Sequence, residues 1–252
     1  MRKEGFFLAA FLPLFAFSCG SDTRTATDEI SAAESRTAEP DWLELVETSS
    51  WQEDRGEWTV VGSVSLDPED DARFALEAGE GIWANGPEGK TVDLHSTVEH
   101  GDVEAHIEFK VPKGSNSGLY FQSRYEVQIF DSWGVEEPKY SDCGGIYQRW
   151  KDEKGFEGHP PRVNASRPPG EWQSFDVVFR APRFDAAGDK TENARFVKVV
   201  HNGVVVHEDV EVTGPTRAAT FEDEVAMGPL MVQGDHGPVA FKNIRLKRIS
   251  LD

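Results

Sequence analysis

Residues Val103 to Val111 read Val-Glu-Ala-His-Ile-Glu-Phe-Lys-Val, and the pattern never slips. Val103, Ala105, Ile107, Phe109 and Val111 fall on one side; Glu104, His106, Glu108 and Lys110 fall on the other. Successive side chains of an extended chain point to opposite faces, so this run predicts a strand with one buried and one wetted face. A helix would scatter the same residues around its circumference. Comparable runs occur at 57–66, 92–96, 118–122, 125–130, 172–180, 196–201, 204–208, 230–233 and 239–246. Asn202-Gly203, between two of them, is a strong signal for a tight hairpin. The glycine-rich stretch 79–89 ends in a turn. No helical period appears beyond residue 20. Many short strands with Gly and Pro turns predict an all-β fold built as a two-sheet sandwich.

The 252 residues carry a formal charge of −19. No basic stripe is present to neutralise phosphates, which argues against nucleic acid as a partner and suits a polar small ligand. Arg2 and Lys3 followed by an apolar run to Phe17 predict an export signal over residues 1–18, too short to span a bilayer comfortably. Cys19, set in Ala16-Phe17-Ser18-Cys19-Gly20, resembles a bacterial lipoprotein cleavage box. Lipidation there would leave the membrane as a partner only through an N-terminal anchor. The expected location is periplasmic or attached to the outer membrane. Residues 19–41, rich in Ser, Thr, Ala, Asp and Glu, read as a tether, and residues 42–252 as the folded domain. Cys143 then stands as a lone thiol with no disulfide partner. Glu39, Asp41 and Glu44 match the E-x-D-x-x-E spacing of endoglucanase strands, but Pro40 breaks the strand that spacing needs.

The stretch from Asn116 to Trp150 departs from the ordinary strand. Tyr125, Val127 and Ile129 form its apolar face; Arg124, Glu126 and Gln128 form the other, with Asp131 just beyond. Arginine, carboxylate and amide in a row suit the floor of a cleft for a polyhydroxylated ligand. A salt-bridged exposed face is the alternative.

The runs EFKVPKGSNSGLYF, RYEVQIFDSWG, CGGIY, VNASRPPGEWQSFDVVFRAPRFD, HNGVVV and VQGDHGPVAFKNIRL resemble the 3-keto-disaccharide hydrolase domain family over residues 51–246. Gly234 is an insertion between Gln233 and Asp235 relative to the family's habit. The resemblance implies a concanavalin A-like jelly roll whose substrate is a carbohydrate, a glycoside oxidised at C3. A C3 ketone acidifies the C2 hydrogen; a base removes it, the C1 substituent leaves, and water adds back. That requires a base, a donor at the C3 oxygen and a proton source for the leaving group. Glu126 and His236 are the expected catalytic groups. Arg124 and Gln128 are candidates for the enolate oxygen or a hydroxyl, Asp131 and Asn116 for orienting hydroxyls, and Tyr147 for a proton or a stacking face. Asn164 and Gln233 complete the substrate-binding set. Glu126, Asp131 and His236 form an alternative ligand set for a divalent cation acting as a Lewis acid. A lectin-like module that binds glycans without turnover is the competing function, since sandwiches of this kind host both.

Overall fold

A computed structural model describes residues 41–252. The expected export signal, Cys19 and the tether through residue 40 lie outside the described residues. From residue 41 onward the regular secondary structure is nearly all strand: β1 (Leu43–Glu44), β2 (Thr59–Leu66), β3 (Phe74–Ala84), β4 (Leu94–His100), β5 (Val103–Lys110), β6 (Asn116–Phe121), β7 (Tyr125–Phe130), β8 (Arg149–Lys151), β9 (Lys154–Phe156), β10 (Gln173–Arg180), β11 (Arg183–Phe184), β12 (Lys190–Glu192), β13 (Ala194–His201), β14 (Val204–Val212), β15 (Gly228–Val232) and β16 (Ala240–Arg248). One 3₁₀ turn covers Thr48–Ser50.

Two antiparallel sheets form the sandwich. The larger runs β14-β13-β10-β5-β16-β3-β2, with β1 added along β16; the smaller runs β4-β15-β6-β7. In β5 the alternating apolar residues face inward, as the sequence requires, and meet those of β10, β13 and β16. Leu119, Phe121, Tyr125, Val127, Ile129, Leu230 and Val232 come up from the smaller sheet. Phe121 stacks on Phe179 across the interface, with ring centroids 5.1 Å apart. Offset aromatic pairs of this kind add to the area they bury.

Two places depart from the sequence reading. A strand that was not expected, β3, fills the first half of the glycine-rich stretch and passes through Gly79 and Gly81, and its register against β2 shifts between Val61 and Ser63; the chain bends beyond it at Pro87 and Glu88. Gly81 has φ of +96°, a conformation that side chains resist, so its missing Cβ permits the irregularity. The other place is Arg124, expected to share a strand face with Glu126. It belongs instead to a three-residue turn in which Gln122 and Ser123 both have positive φ. Neither is a usual left-handed residue, so local sequence gives no sign of the turn.

Candidate active site

β7 settles which face of the small sheet carries the candidate groups. Tyr125, Val127 and Ile129 point into the core, so the pleat sends Glu126 and Gln128 to the opposite face. β6 pairs with β7 so that Tyr120 lies opposite Glu126 and Gly118 opposite Gln128. The edge of β7 is extended by the segment after Cys143. Gly144 and Gln128 are linked by a 2.8 Å backbone bond, and the Tyr147 amide donates to the Glu126 carbonyl. On the outer side of these strands is a cavity of about 250 Å³ lined by Asn116, Tyr120, Glu126, Gln128, Tyr147, Arg217, Ala218, Gln233 and His236. It is sized for a small polar ring. A similar depression between Arg180, Glu192, Arg195 and Glu211 is closed by ion pairs among its own residues.

Glu126 is 3 % exposed. Burial pushes its carboxyl up to about 8; the Tyr120 hydroxyl, bonded to it, pulls the other way, and the negative charge of Asp93 adds to the rise. Gly118 leaves the space this carboxyl occupies: a Cβ there would stand 2.5 Å from a Glu126 oxygen. Tyr147 is likewise held protonated by burial and by the Glu126 charge.

Two acceptors on this wall have no partner. The Gln128 amide nitrogen donates to the Ser141 carbonyl at 3.2 Å, while its Oε1 is buried and unbonded. Asn116 Oδ1 is buried and unbonded as well. Buried acceptors left this way are uncommon, and here they face a cavity that a hydroxyl donor would fill.

The loop carrying His236 is built by distant residues. The Asn85 amide donates to the carbonyls of Gly234 and Gly237 and accepts the amide of Val239. Ser115 donates to the Pro238 carbonyl at 2.7 Å. Asp93, its carboxyl raised chiefly by burial, accepts the Gly234 amide at 2.9 Å. A Cβ at Gly234 would lie 2.3 Å from the Val92 carbonyl, which explains glycine as the inserted residue. His236 pairs through Nδ1 with Asp235, leaving Nε2 free.

The structure therefore brings together Glu126, His236, Gln128, Asn116, Tyr147 and Gln233 on one cavity wall. Three other expected residues are engaged elsewhere. Arg124 donates to Asp223 and to the Gln122 carbonyl and lies over the Phe221 ring. Asp131 accepts the amides of Gly114 and Trp133, pinning the turn beyond β7. Asn164 ties its loop to the carbonyls of Ser132 and Val135. With Asp131 so engaged, the expected Glu126–Asp131–His236 ligand set does not converge. Among the described residues no cluster of three or more His, Cys, Asp or Glu has metal-holding geometry. Cys143 has His201 at 3.9 Å, but both are buried in the core, and burial raises the thiol to about 12.

Tyr120, Arg217 and Asp93 escape a sequence reading. Tyr120 had a usable signal, since it shares the period-two face of Asn116. Arg217 and Asp93 arrive from distant loops. Thr216 bonds to the Arg124 carbonyl and receives the Glu126 amide, and this attachment sets Arg217 beside the cavity.

A family model described as 3-keto-alpha-glucoside-1,2-lyase-like domain matches residues 42–247. A solved structure of a candidate glycosyl hydrolase from Parabacteroides distasonis ATCC 8503 is 26 % identical, with 83 % of this chain and 84 % of that chain covered and a TM-score of 0.58. A second from the same organism, 17 % identical, covers 83 % of this chain and 100 % of its own with a TM-score of 0.52, and shares the fold. No curated protein matches the sequence. The family and the first of these relatives place the chain among carbohydrate-active proteins.

Proposed function

Because the chain belongs to the 3-keto-alpha-glucoside-1,2-lyase-like domain family, we propose that it cleaves glycosides oxidised at C3, with Glu126 as the base that removes the C2 proton. The observation that carries this reading is the pairing of a buried, high-pKa carboxyl with two unbonded amide oxygens on one cavity wall. The carboxyl supplies basicity near neutral pH, and the amides take hydroxyl donors from the ring. A base works best when its pKa lies close to the working pH.

The electrons of the C2–H bond move into the ring as the C3 oxygen takes up negative charge. The Gln233 amide donates to that oxygen, and His236, oriented by Asp235, donates Nε2–H to it when both ring nitrogens carry protons. The C1–O bond then breaks, leaving a 1,2-unsaturated 3-keto sugar. Tyr147, kept protonated by its surroundings, gives its hydroxyl proton to the departing oxygen and regains one from the incoming water. Addition of water at C1 completes a net hydrolysis. Tyr120 holds the Glu126 carboxyl and is a positioning residue. An export signal and Cys19 suit an enzyme of the cell envelope, which fractionation of producing cells would test.

Incubation of the pure protein with a 3-keto-disaccharide, followed by mass spectrometry, should show the released sugar and the unsaturated ketone. Sugar binding without either product would instead make the protein a glycan-binding module.

A further inference from the structure

Arg217 stands where two depressions meet. It lines the Glu126 cavity and also a neighbouring groove of about 360 Å³, whose polar wall includes Arg149, Thr216 and Glu222. Its backbone is fixed from two directions. The Arg217 amide donates to the Gln148 carbonyl at 2.8 Å, and the Thr216 amide donates to the Arg124 carbonyl at 2.9 Å. Gln148 directly follows Tyr147, so the first bond ties Arg217 to the segment that carries this cavity phenol. The side chain lies over the Trp150 ring, with the guanidinium carbon 4.0 Å from the ring centroid. Neighbouring guanidinium groups are spent on carboxylates: Arg149 pairs with Glu157, and Arg124 with Asp223. Among the described residues Arg217 forms no ion pair. An indole holds the flat face of a guanidinium and leaves its N–H edge open to an acceptor.

From this placement we propose that Arg217 is a further catalytic residue, whose guanidinium takes the negative charge that gathers on the departing C1 oxygen. The proposal rests on the glycoside-cleaving reading above and supplies the counter-charge for its second step. When C1–O breaks, its electron pair goes to the departing oxygen. The Tyr147 hydroxyl proton follows, leaving a phenolate until water restores the proton. Both anions form beside Arg217, and a fixed cation there stabilises them more than it would in water. The surroundings of Tyr147 agree. Burial and the charge of Glu126 hold its proton on, while Arg217 favours release. Once Glu126 has taken the C2 proton it is neutral, so its hold on the phenol ends and the Arg217 charge remains. Base and acid then act in the order an elimination needs.

Methyl and 4-nitrophenyl 3-keto-glucosides differ in how much help the departing oxygen needs, and that difference is the test. Arg217→Gln should lower kcat for the methyl compound by about a hundredfold, the scale of one lost oxyanion donor, and for the nitrophenyl compound by less than about threefold. Arg217→Lys should recover most of the methyl loss. Deuterium uptake at C2 of the methyl compound should keep its wild-type rate in both variants. Equal losses for the two leaving groups would overturn the proposal, since a merely structural role lowers both alike. An unchanged rate for the methyl compound would also overturn it. So would slowed C2 exchange in Arg217→Gln, which would make Arg217 a residue that seats the sugar ring. The two readings fail differently: a wild type that neither exchanges C2 nor cleaves either ketone removes the glycoside-cleaving reading and Arg217's role with it. A wild type that does both, with no loss in Arg217→Gln, removes the role of Arg217 alone.

Discussion

Glu126 and His100 are both buried titratable side chains of the same sandwich, yet they are buried differently. His100 is closed by its own chain: one ring nitrogen meets the Gly101 carbonyl at 2.9 Å and the other accepts the Gln122 amide at 3.1 Å. Burial holds it neutral, down at about 4. His207 is treated alike, bonded to the Gly144 carbonyl and lowered to about 4. Glu126 is raised to about 8 beside amide oxygens that no described residue completes. Desolvation is the leading cause of all these shifts. Gln122 beside His100 also has an unbonded amide oxygen, but it faces no cavity among the described residues; the difference is that Glu126 and its unbonded amide neighbours line one, and an unsatisfied set open to a cavity is what marks a place for a ligand.

Glu126→Gln gives the sharpest break of the comparison. Turnover of a 3-keto-glucoside should fall by roughly two to four orders of magnitude, the size of a lost general base, while circular dichroism stays native. The same change bears on stability. Because the folded pKa lies above the ordinary 4.5 of a glutamate, Glu126 contributes full stability below about 4.5 and loses it as pH rises through about 8. Each pH unit between the folded and unfolded values is worth about 1.4 kcal/mol, so the glutamine variant should be more stable than wild type by a few kcal/mol at pH 9 in urea melts. The histidines run the other way. With folded values below 6.5, their contribution is complete above about 6.5 and lost as pH falls through about 4. His207→Gln should flatten that acid limb and leave turnover near wild type.

Activity should follow the ionised carboxylate, so kcat/KM should climb with pH through about 8. Tyr120→Phe removes a bond that lowers the carboxyl and should move the midpoint upward; Asp93→Asn removes a charge that raises it and should move the midpoint downward. Midpoints that stay fixed in both variants would assign the ionisation to another group. Gly118→Ala places a methyl against the carboxyl and should lower kcat by about tenfold through misplacement, with a smaller loss of stability. Arg124→Lys should have the smallest effect on chemistry. It loses the fork of bonds to Asp223 and Gln122 and should lower stability by about 1–3 kcal/mol with KM for a methyl 3-keto-glucoside unchanged.

The same contrast explains what the sequence could disclose. Alternation in 103–111 and 125–130 defines which residues face the core, because one pleat decides it over a few neighbouring positions. Glu126 and Gln128 were legible for that reason, as was the Asn202-Gly203 hairpin. Arg124 was not, because Gln122 and Ser123 take positive φ under tertiary restraint: the Gln122 side chain reaches the carbonyls of His100 and Ala226, and that of Ser123 the carbonyl of Pro229. Asp131 and Asn164 looked like ligand groups in one dimension and prove to be fasteners of loops. Arg217 and Asp93 enter the site by long-range contacts that no local spacing encodes.

Hydrogen exchange at C2 probes the central claim at the atom concerned. A 3-keto-glucoside carrying a poor leaving group should be incubated in D₂O near pH 8 and followed by proton NMR. Wild type should wash deuterium into C2 well above the buffer rate, and Glu126→Gln should return it to that rate. Exchange that persists at the wild-type rate in Glu126→Gln would show that another group takes the proton.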